Sequence, residues 1–304
     1  MIKTNFNTII ELVNTFPNQQ ACIEHLEQLR WSNGVFSPFD PTSKVYACKN
    51  NRYRCKNTGK YFNVRTNTLF DNTKVPLQKW FLAIWLITSH SKGISSVQLA
   101  KDIGVTQKTA WFMLHRIRNC FGFDNDNNLN GEVEVDETYI GGKNKNKHAS
   151  KRVSGSQGRN NKTKAPVLGM VQRDGKLNAK CVEDVTIKTL TKEIVNYVSD
   201  ASIYSDEWLG YNKLKMIYDH QFVKHGAKQY VDGKVHTNTI EGFWSLLKRG
   251  IVGIYHFVSV KHLQNYVDEF VLRYNTRKSS GMERFNLLLT NLENKLTYEE
   301  LING

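Results

Sequence analysis

No stretch of this 304-residue chain approaches about 18 uninterrupted apolar residues, which excludes a membrane-spanning helix. The opening MIKTNFNTII lacks a basic region followed by an apolar core and a small-residue cleavage site, so no secretory signal is expected. Cysteine is sparse: five residues, at 22, 48, 55, 120 and 181, form an odd, scattered set. That excludes a disulfide framework and fits free thiols in a reducing, cytoplasmic compartment. Internal repeats and long single-residue tracts are also missing. Acids are outnumbered, 28 against 42 Lys and Arg, and the resulting charge of +14 makes a polyanion a fitting partner. Aromatics at 11% and apolar residues at 40% exclude wholesale disorder and suffice for a sizeable core. The length suits two domains and a small extra module.

The pattern changes along the chain. Residues 1–31 carry apolar positions at helical spacing (Ile9, Leu12, Val13, Phe16, then Cys22, Leu26, Leu29), which Pro17 splits into two short helices. Residues 32–72 mix Gly, Pro, Asn and basic residues with Tyr46, Tyr53, Tyr61, Phe62 and Val64, and predict short strands in a small β module. Residues 74–120 predict three helices. The polar, turn-rich 123–131 reads as a linker. Beyond it, strands expected at 132–140, 166–173, 177–183 and 202–206 alternate with helical stretches at 187–199, 208–216, 238–249 and 259–274, the signature of an α/β domain over 131–275. Residues 143–164 hold eight Lys or Arg and no acid, and read as a basic loop. Residues 276–304 read as a C-terminal tail.

In ISSVQLAKDIGVTQKTAWFMLHRIR, Leu99–Ala100, Gly104–Val105 and Ala110–Trp111 follow helix–turn–helix spacing, with Gly104 for the sharp turn. Thr106, Gln107, Lys108 and Thr109 open the second helix, where short polar side chains reach base edges and phosphates. Arg116 and Arg118 add positive charge. The same spacing fits an ordinary three-helix bundle; the +14 charge favours DNA.

Three acids stand out on these elements. Asp136 lies in EVEVDETYIGGK, where Val133 and Val135 alternate with Glu132, Glu134 and Asp136 as in a strand with one buried face. Asp206 ends the strand of SIYSDEWLGY. Glu241 lies in HTNTIEGFWSLLKRG, on a helix whose apolar stripe is Ile240, Phe243, Trp244 and Leu247. Meeting at one sheet edge, such carboxylates suit Mg²⁺ and two-metal phosphodiester chemistry, with Lys248 or Arg249 beside them for the phosphate backbone. Each acid also has a structural reading: a solvated strand residue for Asp136, a helix cap for Asp206, and a capping-box partner of Asn238 for Glu241.

VEVDETYIGGK, IYSDEWLGY and HTNTIEGFWSLLKRG resemble the three catalytic segments of DDE transposases of bacterial insertion sequences. The group most similar joins an N-terminal zinc ribbon and a helix–turn–helix to an RNase H-like core; YRCKNTGKYFNVRTNTLF and VPLQKWFLAIWLI resemble its ribbon and first helix. The resemblance, from about Leu29 to Leu289, implies an α/β RNase H-like catalytic core, a mixed sheet flanked by helices, behind the β module and the helix–turn–helix. It implies Asp136, Asp206 and Glu241 as catalytic and metal-holding residues, with two Mg²⁺ or Mn²⁺ ions per site. Asn238 is a reserve candidate for a polar active-site role. It implies DNA as partner, both the terminal inverted repeats and the target, held by a dimer or larger assembly associated with the bacterial nucleoid. Thr106–Thr109 would read the repeat, and Lys151, Arg152, Lys248 and Arg249 would hold phosphates.

One departure stands out. Ser37-Pro38-Phe39-Asp40 replaces the ribbon's first Cys-x-x-Cys knuckle, Thr58 replaces the partner of Cys55, and Cys48 is out of register. One thiolate cannot hold tetrahedral zinc, so a metal-free module is expected. It is left either to contact DNA through Lys49, Arg52, Arg54, Lys56 and Lys60 or to serve in packing alone. Two rivals to a transposase share the same residues: an RNase H-like nuclease without strand transfer, and a DNA-binding regulator with an inert core.

Overall fold

The computed structural model describes residues 6–142, 148–152, 164–223, 231 and 233–303. The chain divides into two units, Met1–Cys120 with Lys278–Gly304, and Phe121–Arg277. In the first, Pro17 separates α1 (Ile9–Thr15) from α2 (Gln19–Arg30). Thr8 and Asn18 begin them by accepting first-turn amides on their side-chain oxygens. An antiparallel three-stranded sheet follows: β1 (Val45–Cys48), β2 (Arg52–Cys55) and β3 (Tyr61–Phe62). Its basic residues lie over aromatic rings, Arg52 and Arg54 over Tyr61 and Lys60 over Phe39.

Three helices come next, α3 (Leu77–Ser89), α4 (Ser96–Ile103) and α5 (Gln107–Arg118). Between α4 and α5, Gly104 takes φ +61°, a left-handed conformation that a side chain would strain. Ser95 and Thr106 cap the two helices. Arg116 and Arg118 differ from expectation: both are buried, and Arg116 donates to the Asp71 carbonyl at 2.9 Å and lies over Trp80 and Phe112. Their positions on α5 fall on its inward face, so they add no charge to the surface.

The second unit is built on β4 (Leu129–Ile140), β5 (Ala165–Gln172), β6 (Leu177–Cys181), β7 (Val198–Asp206) and β8 (Asp219–Val223), in the order β6-β5-β4-β7-β8. The first three strands are antiparallel, while β7 and β8 run parallel to β4. Numbered within the unit this is 3-2-1-4-5, a mixed sheet flanked by helices, as expected. Helix α6 (Ile187–Tyr197) and a 3₁₀ turn over Leu209–Met216 cover one face. Helices α7 (Asn238–Gly250) and α8 (Val260–Asn275) cover the other. Val133, Val135, Leu168, Ile203, Leu190 and Ile194 fill the first layer; Val167, Val171, Ile240, Trp244, Val267 and Phe270 fill the second. The expectation of a strand with one buried face is therefore corrected: β4 is central and covered on both sides. Of the expected basic loop, residues 143–147 and 153–163 lie outside the described residues.

The C-terminal segment is not a free tail. Two further helices, α9 (Gly281–Leu289) and α10 (Tyr298–Asn303), belong to the first unit, where Phe285 meets Phe6 and Phe81 edge-on. A Cβ on Gly281 would stand 2.7 Å from the Trp85 ring, so this helix begins where only glycine fits.

Candidate active site

The register of the central strands brings two of the three expected acids together. Glu134 pairs with Tyr204 across the parallel β4–β7 ladder, so two residues further on Asp136, inside β4, stands beside Asp206, the last residue of β7. On the other side of β4, Asp136 faces Gly169. A Cβ on Gly169 would lie 2.5 Å from the Trp244 ring, so the bare backbone lets the indole of α7 lie across the sheet. From there Trp244 donates its Nε1–H to Asp136 Oδ2 at 2.9 Å. Burial, then the negative charges of Glu137 and Asp206, push the Asp136 carboxyl up to about 8 against that bond.

The neighbouring acids are placed as firmly. Asp206 accepts the Trp208 amide on Oδ1 at 3.0 Å; the cap residue of the 3₁₀ turn that follows is Trp208, so Asp206 does not cap it. Glu137 points to the opposite face and accepts the Tyr211 hydroxyl at 2.6 Å. Burial, then Glu137, Asp136 and Asp206, raise Tyr211 well above the ordinary phenol range. Glu241 is exposed on α7 and accepts from Thr237 Oγ1 at 2.9 Å. Its capping-box reading fails, because Thr237 rather than Asn238 is the cap residue and Glu241 falls four residues beyond it. Asn238 is exposed in the first turn.

What begins α7 instead is Glu134, which the sequence reading passed over as an acid outside the motif. Its carboxylate is fully buried. It accepts the backbone amides of Thr239 and Ile240 at 2.8 and 3.1 Å, the Thr239 hydroxyl at 2.9 Å, and Arg173 Nε at 2.9 Å. His236 Nδ1 lies 3.1 Å away. Arg173 also reaches Glu132 and the His236 carbonyl, and lies over the Tyr204 ring. The one signal in the sequence was period two: residue 134 shares the face of 136.

Among the described residues no group of three or more His, Cys, Asp or Glu side chains is arranged to hold a metal ion. The Asp136–Asp206 pair still suits Mg²⁺, which commonly takes one or two carboxylates and keeps waters and phosphate oxygens for its remaining positions.

The expected DNA-contacting residues are spread over both units. Thr106 and Thr109 share a hydroxyl–hydroxyl bond of 2.8 Å at the cap of α5, Gln107 donates to Ser96 Oγ at 2.8 Å, and Lys108 lies over the Tyr298 ring. Lys248 and Arg249 are exposed on the last turn of α7. Lys151 ends a short 3₁₀ turn, and Arg152 beyond it is exposed. In the β module, Ser37 Oγ accepts the amides of Phe39 and Asp40, and Cys55 is buried. Burial pushes the Cys55 thiol up, but hydrogen bonds from Ser37, Ser43 and Thr58 outweigh it and bring it to about 6.

Residues 128–275 match the model of the ISXO2-like transposase domain. Over 293 residues the chain is 28% identical to a protein of the transposable element ISH50 of Halobacterium salinarum, spanning 91% of this chain and 98% of that one. Among solved structures, the Mos1 strand transfer complex is matched at 12% identity and a TM-score of 0.27, over 69% of this chain and 75% of that one. The Mos1 transposase paired-end complex with left transposon end gives 12% and 0.28, over 70% and 75%. The transposase-domain match lies over the very sheet that carries Asp136 and Asp206, and the transposable-element relative runs almost the length of the chain, so this chain is similar to insertion-sequence transposases.

Proposed function

We propose that this protein is a DDE-type insertion-sequence transposase that cuts DNA at the ends of its own element and joins the freed 3′-hydroxyls to target DNA, using Asp136, Asp206 and Glu241. The observation that carries the reading is the juxtaposition of Asp136 and Asp206 on neighbouring parallel strands beneath Trp244. Asp136 and Asp206 would hold one divalent ion between them, and Glu241, from α7, would serve a second. Two bound Mg²⁺ or Mn²⁺ ions would supply an activated water and stabilise the leaving oxygen. Trp244 fixes one oxygen of Asp136 and the Trp208 amide one of Asp206, so both carboxylates meet the substrate already oriented.

In cleavage, a water oxygen bonds to phosphorus and the 3′ oxygen departs as a hydroxyl. In joining, that hydroxyl bonds to a target phosphorus and displaces its 3′ oxygen. Each step replaces one P–O bond by another, so neither a covalent enzyme intermediate nor a nucleoside triphosphate is required. The start of α5, Thr106 to Thr109, would recognise the terminal repeat. Lys151, Arg152, Lys248 and Arg249 would hold phosphates in a salt-dependent way. Two ends must be held at once, which calls for a dimer or larger assembly on DNA.

A strand-transfer assay with Mg²⁺ tests this on the parent, Asp136→Asn and Asp206→Asn. The parent joins end duplexes to target, and each variant loses about a thousand-fold or more in rate while keeping its DNA affinity. Cleavage without joining would instead mark a nuclease. Site-specific binding with no cleavage by the parent would mark a regulator.

A further inference from the structure

We infer that Glu134 is a positioning residue, a buried anion that sets where α7 stands along β4 and thereby where Trp244 meets Asp136. The inference rests on the catalytic reading above and goes beyond it to a residue outside the three-acid motif. A fully buried carboxylate is costly unless its lone pairs are met by donors. Here they are met by the first turn of α7: two backbone amides, one hydroxyl, and the positive end of the helix dipole. Arg173 supplies the balancing charge from the end of β5.

The geometry makes a two-point clamp. Glu134 and Asp136 are two residues apart on one face of β4, a rise of about 6.8 Å. Their partners on α7 are Thr239 and Ile240 for the first and Trp244 for the second, four to five residues apart, about 6–7.5 Å along a helix. The two spacings agree, so the helix can slide neither way along the strand without breaking one set of bonds. Glu241 lies between the two fixed points. The clamp holds the helix that carries the third carboxylate in register with the strand that carries the first.

Glu134→Gln tests this in the full chain. The variant keeps the volume, but its amide nitrogen cannot accept a hydrogen bond, so one donor is left facing a donor. The turnover rate of end cleavage at saturating DNA should fall about 10- to 100-fold, as misplacement of catalytic groups by about 1 Å does. KM for the end duplex and its binding affinity should stay within about threefold. Thr239→Val, which removes only the hydroxyl bond, should lower turnover by about threefold with binding unchanged; it decides the matter if Glu134→Gln does not fold. Folded variants that turn over at the parent's rate, or whose loss lies entirely in DNA affinity, overturn the positioning role. Asp136→Asn in the same assay separates the two claims. If it is inactive while Glu134→Gln matches the parent, only the clamp fails; if it cleaves like the parent, the catalytic reading fails and the clamp with it.

Discussion

Two buried polar clusters in this protein meet opposite fates. Around Cys55 the neighbours are Ser37, Ser43 and Thr58, neutral hydroxyls that both donate and accept, and the thiol completes its hydrogen bonds among them. On β4 and at the end of β7 the neighbours are carboxylates, which when ionised only accept, and Asp136 keeps its proton up to about 8 under the pressure of burial, Glu137 and Asp206. The first cluster balances itself from within the chain. In the second, Trp244, the Trp208 amide and Tyr211 each donate to one of the crowded acids. On the reading proposed above, the hydroxyl-lined knuckle is expected to bind no metal and the crowded carboxylates of β4 and β7 to bind one.

The widest gap between the clusters is expected in their response to pH. In the unfolded chain Asp136 ionises near its ordinary value of 3.8, and in the folded, metal-free protein near 8. Between those values the folded state binds the extra proton, so stability falls as pH rises through the window, by a few kcal/mol in total. Thermal unfolding in chelator from pH 4 to pH 8 should show this fall, and Asp136→Asn should flatten it. A smaller effect is expected of Gly169→Ala, whose Cβ would press on Trp244. About 1–3 kcal/mol of stability should be lost, and cleavage should drop with it as the indole leaves Asp136. An unaltered melting curve would show that the indole is not held against the strand. Smallest is the change expected at the other cluster. Metal analysis of the purified protein should find no stoichiometric zinc, and Cys55→Ser should cost about 1 kcal/mol. One zinc per chain, or unfolding of the variant, would erase the contrast.

The sequence was most readable where one pattern dominates locally. The stripe of Ile240, Phe243, Trp244 and Leu247 located α7, and the strand patterns around Asp136 and Asp206 located β4 and β7. What it hid depends on long-range packing. Period two placed Glu134 on the face of Asp136 but could not say that α7 would cover that face, so nothing local marked Glu134 as a helix anchor. Strand β8, Asp-His-Gln-Phe-Val, is a mostly polar edge strand with no apolar alternation to announce it. Arg116 and Arg118 looked like surface charge because composition does not reveal which helical face turns inward. The last residues looked like a tail because nothing local shows that Phe285 packs beside Phe6, about 280 positions away.

The most direct test of the central claim, that Asp136 and Asp206 together hold a divalent cation, is a Mn²⁺ titration followed by electron paramagnetic resonance on the full chain bound to an end duplex. The parent should take up the ion, and Asp136→Asn and Asp206→Asn should each weaken its binding by about tenfold or more. Equal Mn²⁺ affinity in the parent and both variants would contradict the account.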